Sequence, residues 1–168
     1  LMAADSAVML MDAAKGVEEQ TRKLFQVCRL RRIPIFTFVN KMDRFGRDGL
    51  DLMSEIEDLL GIDAVPVNWP IGAGRDFRGV YDRIERRALF FSGGAHGSLQ
   101  VDQAELAGGI DDPAMREAMG DFHADVREHL ELLEGAGAEF DPEAVRAGEQ
   151  TPMFFGSALT NYGVSPFL

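Results

Sequence analysis

Two short polar stretches, each closing an apolar run, hold the residues best suited to chemistry. The first is Asn40-Lys41-Met42-Asp43, which follows Ile33–Val39; the second is Ser157-Ala158-Leu159, which follows Pro152–Phe155 and Gly156. The earlier run is rich in β-branched and aromatic side chains and has the length of a buried strand. Its polar tail therefore stands at the carboxyl end of a strand, where open α/β sheets bind ligands. There Asp43 offers a carboxylate that can accept two hydrogen bonds from one ligand edge. Other chemistry-bearing residues read as structural. Cys28 lies at helical spacing with Val17, Thr21 and Leu24, which marks an inert core thiol. His96, His123 and His129 show no metal-ligand spacing and read as surface or hydrogen-bonded histidines.

The elements that must position these stretches can be followed along the chain. Ala7–Met11 reads as a strand, Asp12–Gly16 as its exit, and about Val17–Arg31 as a helix. Glu18 and Glu19 at its start and Arg29, Arg31 and Arg32 at its end complement the helix dipole. Strand, helix and strand of this length make a βαβ unit, and so a parallel sheet. Asp48 caps the next helix, which Gly61 stops. Ala64–Ile71 follows as one extended segment whose two prolines place it at a sheet edge or outside a central position. Val80-Tyr81 and Ala88–Phe91 predict short antiparallel strands, and Ser92–Gly97 a loop or hairpin tip. Asp112-Pro113 opens one long helix up to Gly135, with Met115, Met119, Phe122, Val126, Leu130 and Leu133 as its buried stripe. Its outer face is acidic. Asp141-Pro142 starts a shorter helix in the same way, and Pro152–Phe155 returns as a strand.

Bulk properties bound the function. The chain has 168 residues, 46% of them hydrophobic, and a net charge of −11. Residues 1–98 contain 14 acidic and 14 basic side chains, whereas residues 99–168 contain 14 acidic and 3 basic. The excess charge thus belongs to the second part, which repels nucleic acid, so direct DNA binding is not expected. The asymmetry suggests two surfaces with different partners. No apolar stretch approaches the roughly 20 residues that span a bilayer. The single cysteine excludes an internal disulfide and fits a reducing, cytoplasmic setting. Leu1–Ala4 reads as the end of a helix, and Ser165-Pro166 as the start of another. The chain is therefore expected to be a piece of a longer protein.

Asn40-Lys41-Met42-Asp43 at a strand end resembles the guanine-recognition motif of GTPases. The chemistry suits it: guanine presents N1–H and a 2-amino group to a carboxylate, and adenine has neither. Sites built on such pairing discriminate by factors on the order of 10⁴ or more. Lys41 can lay its stem over the base, and Asn40 can tie the loop to its neighbours. Ser157-Ala158-Leu159 resembles the second half of the same pocket. The Ala158 N–H can donate to guanine O6, the Ser157 hydroxyl can brace Asp43, and Leu159 can pack near the base or ribose. Further stretches carry the resemblance: Ala13–Glu18 leading to Thr21–Leu24, Trp69–Gly72, Phe77–Tyr81 and Thr151–Leu159. With them the sequence resembles the translational GTPases, and within that family the peptide chain release factors of the bacterial type 3 more than elongation factor G.

The resemblance implies an α/β fold: part of the three-layer parallel sheet of P-loop GTPases, with a small inserted α+β subdomain. It implies residues 1–74 as the C-terminal half of a GTP-binding domain, 75–150 as an acidic insertion, and 151–168 as the last strand with its loop and the start of a final helix. It further implies GTP or GDP as ligand, the ribosome and decoding release factors as partners, and recycling of those factors as the task. The family's phosphate loop, its Mg²⁺-binding threonines and its catalytic histidine have no counterpart here. No G-x-x-x-x-G-K-[ST] occurs, so Mg²⁺ is expected only with an upstream half, and the isolated 168 residues are expected not to hydrolyse GTP. Two other readings stand beside this one. The chain could belong to an elongation-factor-G-type GTPase, or act as a binding module that docks a ribosomal stalk protein through the acidic insertion.

Overall fold

The computed structural model describes residues 4–92, 102–164 and 167. Four strands form a parallel sheet: β1 (Ala7–Asp12), β2 (Ile35–Asn40), β8 (Gln150–Phe155) and β3 (Asp63–Pro66), in that spatial order. Helix α1 (Glu19–Leu30) connects β1 to β2, and α2 (Gly49–Leu60) leads from β2 to β3. Met9, Met11, Val39, Met153 and Phe155 of the strands share a buried core with Phe25 and Cys28 of α1 and with Leu52 and Ile56 of α2. Cys28 is thus the core thiol that its spacing indicated. Alternation of side chains along a strand turns Val8 and Leu10 to the opposite face, where they are exposed. On β2 and β8 that face is covered: Phe38 and Phe154 each pack edge-on against Phe167.

A second, antiparallel sheet runs β4 (Asn68–Ile71), β5 (Gly79–Asp82), β6 (Arg87–Ser92) and β7 (Asp102–Ala107). The extended stretch read as one segment is therefore two strands in two sheets, with Val67 between them. Pro66 and Pro70 both sit on edge strands, as their missing N–H groups require. Strand β7 carried no sequence signal, since residues 103–107 are mostly exposed and the strand pairs along one edge with β6 only. Most of the loop foreseen at Ser92–Gly97 lies outside the described residues.

The long helix foreseen from Asp112 is two helices, α3 (Pro113–Met119) and α4 (His123–Ala136), separated by a 3-10 turn over Gly120–Phe122. Gly120 adopts φ 57° and ψ −129°, a conformation in which an L side chain is strained. The apolar stripe continues across the break, which is why its spacing concealed it: Met115, Met119, Val126, Leu130 and Leu133 are all buried. Helix α5 (Pro142–Ala147) completes the chain's helices among the described residues. Asp48, Asp112 and Asp141 each accept a backbone N–H two residues on, as N-caps do. Among the described residues no helix is long and apolar enough to cross a membrane.

Candidate functional site at the ends of two adjacent strands

Strands β2 and β8 lie side by side, with Val39 opposite Phe155, so their carboxyl ends open onto the same place. The chain turns sharply after β2: Lys41 adopts φ 70°, and the Arg44 N–H closes the turn on the Lys41 carbonyl at 3.0 Å. Met42 is buried and anchors the loop. Its N–H donates to the Gly156 carbonyl at 3.1 Å, and its own carbonyl accepts the Gly74 N–H at 2.9 Å. Gly156 donates in turn to the Val39 carbonyl at 3.0 Å. A Cβ on Gly156 would meet the Tyr162 carbonyl oxygen at 2.5 Å and the Phe38 ring at 2.8 Å, so only glycine passes here. Paired backbone bonds of 2.8 and 2.9 Å between Ser157 and Tyr162 then fold the second loop back on itself. Tyr162 is held by stacking on Phe91 of β6, ring centroids 4.6 Å apart.

The two polar stretches meet through Asn40. Its side-chain oxygen accepts the Lys41 N–H at 2.8 Å and the Ala158 N–H at 2.9 Å. The amide that the sequence offers to a base oxygen is thus held by Asn40, which ties the two loops together. Asp43 Oδ1 and Ser157 Oγ are both buried and have no hydrogen-bond partner among the described residues. No bond joins Ser157 to Asp43. Such unpaired buried polar atoms cost free energy unless a ligand or water satisfies them. Leu159 and Ala158 are exposed at the rim.

One participant carried no motif signal. Asp12 ends β1 in register with Asn40 at the end of β2. Its Oδ2 accepts from Lys41 Nζ at 2.6 Å, and its Oδ1 from the Ala14 N–H at 2.9 Å. The bond from Lys41 is the main cause that holds the Asp12 carboxyl below its ordinary range, with the Ala14 amide next. The only hint in the sequence was a lone acid where an apolar strand stops. Behind the Asn40–Asp43 loop lies a groove of about 220 Å³, lined by Met42, Asp48, Gly49, Trp69, Phe122 and His129 among others. Trp69 Nε1 donates to His129 Nδ1 at 3.3 Å, and His123 Nε2 lies 2.7 Å from the Ile110 carbonyl. Both histidines are therefore hydrogen-bonded; His96 lies outside the described residues.

Residues 1–168 match the elongation factor Tu GTP binding domain. The chain is 55% identical over 169 residues to peptide chain release factor 3 of Microcystis aeruginosa. Identity is 54% over 169 residues with that of Symbiobacterium thermophilum and 52% over 171 residues with that of Ligilactobacillus salivarius. These alignments take in 100% of this chain but only 31% or 32% of each relative, so the chain spans about a third of their length. Among solved structures, one from Thermus thermophilus superposes with a TM-score of 0.67 at 25% identity, covering 98% of this chain and 26% of that one. Matched over its whole length, the chain belongs to the elongation factor Tu GTP-binding domain family.

Proposed function

We propose that this chain supplies guanine recognition to a GTPase of translation termination. The observation that carries the reading is the Asn40 bridge, which brings the Asn40–Asp43 loop and the Ser157–Leu159 loop to one place beside an unpaired, buried carboxylate oxygen of Asp43. A guanine edge suits the Asp43 carboxylate, since N1–H and the 2-amino group are two donors for its two oxygens, of which Oδ1 has no partner. In this reading Asn40, Lys41, Asp43, Ser157, Ala158 and Leu159 hold the base. The Ala158 N–H is shared between Asn40 and guanine O6, the Lys41 stem lies on the purine face, and Leu159 packs at the rim. GTP or GDP supplies the phosphates on which hydrolysis takes place. The groups that cradle those phosphates and hold Mg²⁺ belong to a part of the protein outside these 168 residues, and the segment alone does not hydrolyse GTP.

Residues 1–74 and 151–168 form the nucleotide-binding part in this proposal, and 75–150 form an insertion. Similarity to peptide chain release factor 3 supports a ribosomal, cytoplasmic role in which the full-length protein helps recycle decoding release factors. The exposed acids along α3 and α4, among them Glu117, Asp121, Asp125, Glu128 and Glu131, offer a surface for a ribosomal stalk protein. Calorimetry on the full-length protein tests the central point. GDP should bind and ADP should not, and the preference should disappear with Asp43→Asn. Equal affinity for GDP and ADP in the unmutated protein would dismiss the guanine assignment.

A further inference from the structure

We propose that Asp12 is a positioning residue of the guanine site, acting on the base through Lys41; this rests on the guanine reading above. Asp12 and Asn40 end neighbouring parallel strands in register, so Lys41 emerges one residue past the rung that Asp12 closes. Both oxygens of the Asp12 carboxylate are engaged. The Ala14 N–H fixes one to its own loop at 2.9 Å, and Lys41 Nζ takes the other at 2.6 Å. The carboxylate is 15% exposed and the Lys41 side chain 46%, so the acid is the fixed partner and the lysine the one being held.

The direction of that hold matters. β1 and β8 flank β2 on opposite sides. The Lys41 ammonium is drawn toward Asp12 at the end of β1, on the side of β2 opposite to β8 and the Ser157–Leu159 loop that follows it. An unrestrained lysine would sample many rotamers in water, and a ligand would have to order it on binding. The pair with Asp12 removes much of that disorder beforehand and leaves an apolar stem facing the site. The backbone serves the same end, since Lys41 occupies the left-handed region at φ 70°, which few non-glycine residues adopt. A stem that touches the face of a purine is blind to the groups on its edge. Asp12 therefore contributes affinity without selectivity, and Asp43 contributes selectivity.

The test is a double-mutant cycle on the full-length protein, read by calorimetry with GDP, IDP and ADP. Asp12→Asn keeps the size of the side chain and the oxygen that accepts the Ala14 N–H, and removes the charge that holds Lys41. It should weaken GDP and IDP binding by the same factor, about threefold to tenfold. Lys41→Met keeps an unbranched apolar stem that cannot pair with Asp12, so adding Asp12→Asn to it should cost nothing more. Asp12→Glu, which restores the carboxylate, should recover part of the loss. Unchanged GDP affinity in Asp12→Asn would overturn the proposal, as would a loss that persists in the Lys41→Met background, which marks a purely structural role. A changed GDP-to-IDP ratio would refute action through the lysine stem. If the unmutated protein does not prefer GDP to ADP, the guanine reading fails and this inference fails with it.

Discussion

Asn68 completes the hydrogen bonding of Phe155 as a neighbouring strand would. Its side-chain oxygen accepts the Phe155 N–H at 2.7 Å, and its amide group donates to the Phe155 carbonyl at 3.2 Å. Asn68 opens the antiparallel sheet and Phe155 ends the central strand β8, so one buried side chain joins the two sheets just ahead of Ser157. Asn68→Leu leaves both backbone groups of Phe155 buried without partners. A loss of about 2–4 kcal/mol of stability is expected. Urea unfolding, followed by the fluorescence of the single tryptophan, measures it.

Asp43→Asn exchanges one acceptor for a donor at the base edge. The variant should lose GDP affinity by a factor on the order of 10² or more, because its amide N–H₂ then faces the 2-amino group of guanine. Xanthine carries an oxygen at that position, so XDP should bind the variant better than GDP does. Competition between the two nucleotides decides the matter.

Asn40→Ala removes the acceptor shared by Lys41 and Ala158 and frees the second loop from the first. Each net bond is worth about 1 kcal/mol. GDP affinity should fall by roughly tenfold, and amide exchange at Ala158 should accelerate, whereas the helices keep their protection.

Trp69 is 1% exposed, donates to His129 on α4 and packs edge-on to Phe155, with ring centroids 5.2 Å apart. It is the wedge between α4 and the strand that leads to the candidate site. Trp69→Ala should cost about 3–5 kcal/mol, and Trp69→Phe markedly less because most of the packing survives. Thermal unfolding of the two variants gives the comparison.

Burial raises the Glu57 carboxyl above its ordinary range, with Asp63 and Asp58 adding to the effect against the Ala64 N–H. The sign follows from linkage. A carboxyl raised in the folded state adds stability below its unfolded value, about 4.3, and that contribution is lost as pH rises through the folded value. Glu57→Gln should therefore gain stability relative to the parent as pH is taken from 4 to 7, by about the amount that the parent loses. Parallel denaturant titrations across that range would show no divergence if the carboxyl were unperturbed. Asp12, held low by Lys41, has the opposite sign and weakens the fold only on acidification.

Much of the site was legible because its residues announce themselves locally. An apolar run that stops at Asn40 states both a strand and its polar end, and the same holds for Phe155 and Ser157. Asp48, Asp112 and Asp141 marked helix starts because a cap acts on amides two residues away. Gly120 was missed for the opposite reason. The stripe from Met115 to Leu133 keeps helical spacing through a break that a single residue's backbone conformation makes. β7 was missed because it has one partner strand and residues 103–107 are mostly exposed, which leaves no apolar alternation to read.

By itself, then, the sequence determined the βαβ frame, the caps and the two polar loops that follow β2 and β8, since each depends on residues adjacent in the chain. Tertiary structure alone decided which atoms meet. Asn40 reaches an amide 118 residues away, Lys41 finds Asp12 29 residues back, and Asn68 finds Phe155 87 residues on. Such pairs depend on strand order and register, and register is set by the sum of side-chain packing across the sheet. It is that packing, and not either motif, that leaves the Asp43 oxygen buried and unpartnered.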